Sequence, residues 1–200
     1  MINYNLKEFE KNGSIILEDK RFQDCTISEI KCTDIMVRNC EFYNIVFSNI
    51  FTVSSISFEN CKFYGCTFNS TFIDCLLIYK NNNYSNCCIE NLTMQGYDEQ
   101  SEIIKSNYRH CSFKHLNIKG DFTIQENTIE DGIIEDFFYQ GTEIWANQFK
   151  NLKFTDTDIR AAVFKNDFQH VIFKRTSLVG TNQDNAFKDC NMSGFTFEEQ

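Results

Sequence analysis

FENCKFYGCTF, residues Phe58 to Phe68, places a phenylalanine at every fifth position: Phe58, Phe63 and Phe68. A cysteine stands two residues before each of the later two, at Cys61 and Cys66. A period of five matches neither the 3.6 residues of an α-helix nor the 2.0 of an ordinary strand. Two inward positions followed by outward ones describe a chain that turns a corner in each pentad. Such a period, sustained along a chain, is the signature of a solenoid.

The pattern extends both ways. Upstream, the large apolar position, here called central, reads Phe22, Ile27, Cys32, Val37, Phe42 and Phe47, with Cys25, Ile30, Ile35, Cys40, Ile45 and Ile50 in the smaller position two residues earlier. The phase slips by one near Phe51 to Val53. It resumes at Phe58 and runs through Ile73 to Ile78, then slips again before Tyr84, Ile89 and Met94. The period is lost from Gln95 to about Lys105 and returns at Tyr108, Phe113 and Ile118. A long stretch follows: Ile124, Ile129, Ile134, Tyr139, Ile144, Phe149, Phe154, Ile159 and Phe164. Phe168, Phe173, Leu178, Phe187, Met192 and Phe197 complete it. Fourteen of the 21 phenylalanines fall on central positions, and proline is absent. Corners are expected two residues after each central position, where Asp24, Asp34, Asn39, Asn44, Asn60, Gly65, Asp131, Gly141, Asn151 and Gly180 occur. These are residue types that tolerate tight turns.

The 200 residues, 42% of them hydrophobic, suffice for a continuous core. A formal charge of −9 argues against general affinity for nucleic acid or anionic membranes and favours basic partner surfaces. Met1 to Lys20 carries Glu8, Glu10, Glu18 and Asp19 instead of a basic and then apolar leader, so a soluble, cytoplasmic protein is expected. The ten cysteines read as compact apolar fillers. Cys25, Cys40, Cys61, Cys66, Cys87, Cys111 and Cys190 hold the small inward position, and only Cys88 is expected at the surface. No CxxC pair, phosphate loop or nucleophile–base spacing occurs, and His110 and His115 fall on adjacent faces. No catalytic residue, cofactor or metal is therefore expected, and the chain is read as no enzyme.

FENCKFYGCTF and FQDCTI (Phe22 to Ile27) resemble the pentapeptide-repeat family over roughly residues 20 to 198. This chain departs from the commonest family pattern by carrying Cys or Ile at the small position and mostly Phe or Ile at the centre. The resemblance implies an all-β, right-handed quadrilateral β-helix with four pentads per coil. About 20 residues per coil and a strand spacing of about 4.8 Å give a rod on the order of 40 Å long. A short cap is expected over residues 1–20, with Leu6 and Phe9 of NLKEFEK on a capping helix. The β-helix is expected over 21–200, interrupted by a loop at about 95–107.

Two features carry the functional expectation. From Asp121 to Phe149 stand seven acids, Asp121, Glu126, Glu130, Asp131, Glu135, Asp136 and Glu143, with no Lys or Arg. The irregular segment QGYDEQSEIIKSN adds Tyr97, Asp98, Glu99 and Glu102. Length, acidity, a minor break near residue 52 and a larger loop near residue 100 are similar to the quinolone-resistance (Qnr) branch of the family. That resemblance implies an acidic DNA mimic that binds DNA gyrase or topoisomerase IV, protects it from inhibitors and so confers antibiotic resistance, and dimerises through its C-terminal end. A duplex 40 Å long carries about 24 phosphate charges, so mimicry by a chain of net −9 is local. Residues 150 to 175 are net basic. The alternative is an interaction scaffold, an immunity or effector module, with a different partner.

Overall fold

A computed structural model describes residues 2–4, 6–73, 76–96 and 101–199. The chain is a β-solenoid. Every pairing between successive coils is parallel and places one central residue on the next. Nine short strands, from Arg21–Gln23 to Ala186–Lys188, stack in one sheet, and the remaining strands form a second sheet that wraps the other three sides. Nine stacked strands mean eight turns, a rod on the order of 40 Å at about 4.8 Å per step.

The register defines four faces. Face 1 stacks Phe22, Phe42, Phe63, Tyr84, Tyr108, Ile129, Phe149, Phe168 and Phe187. Face 2 begins with Ile27 and Phe47, face 3 with Cys32 and Thr52, and face 4 with Leu17 and Val37. On face 1 the rings stack directly: Phe42, Phe63, Tyr84 and Tyr108 have successive centroids 5.0, 4.6 and 4.6 Å apart. Ile129 interrupts this column before Phe149 and Phe168 resume it at 4.8 Å.

Three of the four corners hold five residues between central positions in every coil. The fourth, between faces 3 and 4, does not. There the spacing is five from Cys32 to Val37, six from Thr52 to Phe58, six from Ile73 to Tyr79 and nine from Met94 to Ile103. It is then six from Ile118 to Ile124, five from Tyr139 to Ile144, four from Ile159 to Val163 and four from Leu178 to Asn182. All variation in coil length is thus confined to one edge.

Backbone geometry accounts for the difference. At the three regular corners a residue two after the central one adopts the left-handed conformation, as Asn39, Asn44, Asp131, Asp136 and Asn151 do with φ between 50 and 55°. Asn, Asp and His recur there because their short polar side chains tolerate that region. The fourth corner instead stacks Gly96, Gly120, Gly141, Ala161 and Gly180. A Cβ on Gly120 would lie 2.1 Å from the Gly96 carbonyl oxygen.

Several sequence expectations shift. Asp34 and Gly141 lie at the fourth corner and do not adopt the left-handed turn. Tyr79, not Ile78, points inward, with the buried Leu77 two residues before it, so the second slip precedes Leu77. Val163 is buried and its neighbour Phe164 lies outside, because the last regular coils are one residue short at the fourth corner. The interruption expected over 95–107 also narrows: Ser101–Ile104 and Asn107–Arg109 are in register with their neighbours. The boundary at residue 20 falls inside the solenoid, since Ser14–Glu18 already pairs with the next coil on face 4. Leu6–Phe9 forms a single 3-10 turn that buries Leu6 and sets Phe9 edge-on to Phe22, capping that end. No helix among the described residues is long and apolar enough to cross a membrane.

Candidate functional site

The acids of 121–143 do not form one band. They are distributed around the whole circumference of a coil, and three of the seven pair with a Lys or Arg of the coil before it. Glu126 pairs with Lys105 at 3.6 Å, Glu130 with Arg109 at 3.3 Å and Glu135 with Lys114 at 3.8 Å. His110 and His115, five residues apart and on different corners, face Asp131 at 3.9 Å and Asp136 at 2.8 Å. Each partner lies 21 residues upstream, one coil of the rod.

Of the acids singled out in the sequence, Glu102, Asp121 and Glu143 have no ion pair or histidine partner among the described residues. All three stand at or beside the variable edge. Glu102 and Glu143, both half-buried, share one row of face 4, with the buried Thr123 between them. At about 4.8 Å per coil they are roughly 10 Å apart. Asp121 is exposed at the corner itself, its carboxylate accepting from the Thr142 hydroxyl. Asp121 also meets the irregular segment, because its carbonyl accepts from the Ser101 N–H at 2.8 Å while Gly96 N–H bonds Lys119 O at 2.8 Å. Tyr97, Asp98 and Glu99 lie outside the described residues.

Among the described residues the interior encloses no large polar chamber. Its cavity space, about 140 Å³, is spread along residues from Leu6 to Ile159 and is almost wholly apolar. Two depressions on the outside, about 370 Å³ on face 3 and about 310 Å³ on face 1, are shallow and open. Cys25, Cys40, Cys61, Cys66, Cys87 and Cys111 are buried free thiols, as their spacing predicts, and Cys190 is half-buried. Burial pushes the Cys40 thiol up and the Cys61 thiol up to about 12, which removes them from nucleophilic chemistry near neutrality. Cys88, expected at the surface, is half-buried and accepts from Ser112 Oγ at 3.3 Å.

Sequence reasoning missed a polar column inside the rod. Asn82, Ser106, Asn127, Asn147, Asn166 and Asn185 occupy the small inward position that Cys40 and Cys61 hold in earlier coils. Each side-chain oxygen accepts from the backbone N–H one coil back, at 2.9 Å for Asn127 onto Ser106, Asn147 onto Asn127 and Asn166 onto Asn147. Each asparagine amide donates to an earlier carbonyl, as Asn147 does to Ile124 O at 2.9 Å. The signal was present as asparagines 19 or 20 residues apart. They escaped notice because Asn suggests a turn, not a core. No protein-family model matches the chain, and no curated protein matches it.

Proposed function

We propose that this chain is a non-enzymatic binding scaffold, a member of the pentapeptide-repeat family, whose recognition surface is the edge between faces 3 and 4. The carrying observation is that coil length varies only there, and insertions in a repeat protein gather on the face that binds. The same edge carries Glu102, Asp121 and Glu143 without counter-ions. Such a surface complements a basic one, so the partner is a protein with a cationic groove. DNA gyrase or topoisomerase IV is the specific candidate, supported by this charge and by the resemblance to Qnr proteins. DNA mimicry in this form centres on the edge, since Glu126, Glu130 and Glu135 are ion-paired within the rod and Asp131 and Asp136 each face a histidine.

The test is gyrase supercoiling and fluoroquinolone-stabilised DNA cleavage, with and without the protein. Rescue of supercoiling, weakened by added salt and by the combined variant Glu102→Gln, Asp121→Asn, Glu143→Gln, is the expected result. No rescue at protein excess over several bacterial topoisomerases would reject this partner.

A second copy is the proposed occupant of the exposed face of the last described coil. Phe187, Met192 and Phe197 of the terminal coil are 37%, 37% and 39% exposed, an apolar cross-section suited to a two-fold dimer. A monomeric mass in sedimentation at micromolar protein would contradict that pairing.

A further inference from the structure

Face 4 carries an aromatic pair that the core does not use. Trp145 and Phe164 occupy the same outward register position in consecutive coils, with ring centroids 6.0 Å apart and planes within 10°. Ile144 and Val163 beside them are buried, so strand alternation turns Trp145 and Phe164 toward solvent. Trp145 Nε1 donates to Gln125 Oε1 at 2.7 Å, which fixes the plane of the indole.

Two other outward aromatics, Tyr43 and Phe138, carry cations of their own chain, whereas Tyr64 only stacks on Tyr43. The Arg21 guanidinium lies 4.5 Å from the Tyr43 centroid, and Lys119 and Arg160 cover Phe138 at 5.2 and 5.5 Å. Among the described residues no cation lies over Trp145 or Phe164. Glu143 stands two residues before Trp145 on the same face, without an ion pair. In the corner row beside the pair stand Lys165, next to Phe164, and, two coils before Ala146, Lys105, which is engaged with Glu126. Among the described residues, no cation of the chain fills the stacking surface and the charge that the ordered Trp145 and the unpaired Glu143 offer.

We propose that Trp145, Phe164 and Glu143 form an anchoring site for an arginine side chain of the partner. The guanidinium stacks against the aromatic pair and directs its N–H groups to the Glu143 carboxylate, a combination that suits arginine better than lysine. The site deepens the binding reading above, on which it rests, by naming a single anchor of the kind that dominates protein interfaces.

Trp145 is the chain's one tryptophan, so its emission reports this site alone. The full chain is titrated with a blocked Gly-Arg-Gly peptide and with its neutral citrulline counterpart. A saturable change with the arginine peptide is expected, weakened about fivefold by Glu143→Gln, with the citrulline peptide at least about fivefold weaker. An equal response to citrulline, a saturable response to cellohexaose in place of arginine, or no response to arginine would each overturn the proposal. Gyrase protection that persists while Trp145 stays silent would sink this inference alone. Arginine binding at Trp145 without gyrase protection would sink only the choice of partner.

Discussion

Asn147 is a polar side chain 1% exposed inside an apolar rod, and it satisfies its neighbours as well as itself. Its oxygen takes the Asn127 N–H, and its amide reaches the carbonyls of Ile124 and Trp145. Asn147→Ala strands these buried groups and should cost about 2–4 kcal/mol in urea unfolding. Asn147→Cys should cost less. In the same column Cys40 Sγ accepts from Lys20 N–H at 3.4 Å and donates to Arg38 O at 3.2 Å, a thiol version of the same bridge. Equal losses for the two variants would show that packing, not hydrogen bonding, sets the cost. Phe63, wholly buried between Phe42 and Tyr84, should lose about 3–5 kcal/mol as Phe63→Ala, measured the same way.

Coil against coil, the elements are joined by two kinds of ladder. The inner one is apolar and aromatic, with the asparagine column beside it; the outer one is ionic. The Lys114–Glu135 pair is exposed and solvent-screened, so Glu135→Gln should move the unfolding free energy by no more than about 1 kcal/mol. A larger loss would mean that the ionic ladder, not the core, holds these coils. The period of five and most central residues were legible in the sequence, because a Phe or Ile between polar neighbours has one place to go. Where two adjacent residues are apolar, as at Ile78–Tyr79 and Val163–Phe164, hydrophobicity does not choose between them. The corner on either side decides. The pairing of the acids was illegible for another reason: each cation lies a coil away, and coil length varies from 19 residues (Phe149 to Phe168) to 24 (Tyr84 to Tyr108).

For the whole molecule, a buried column of thiols and phenols implies sensitivity to alkali. Burial raises Cys61 to about 12, and it also pushes the Tyr84, Tyr108 and Tyr139 hydroxyls upward. Unfolded thiols ionise near 8.5 and phenols near 10. Raised native values therefore contribute stability that is complete below the unfolded values and disappears as pH climbs toward the folded ones. The urea midpoint should fall between about pH 9 and 12, and a constant midpoint there would contradict the burial of these groups.

The rod has three fixed corners and one adjustable edge. Adding one glycine at each of the four corners of the coil from Ile129 to Phe149, in separate variants, tests this most directly through the urea midpoints. The glycine placed between Gln140 and Glu143 should leave the midpoint nearly unchanged, since the coil before it already has six residues there. A residue added at any of the other corners should shift every following side chain to the wrong side of its strand and lower the midpoint sharply. Equal tolerance at all four corners, or collapse at the variable one, would contradict the account.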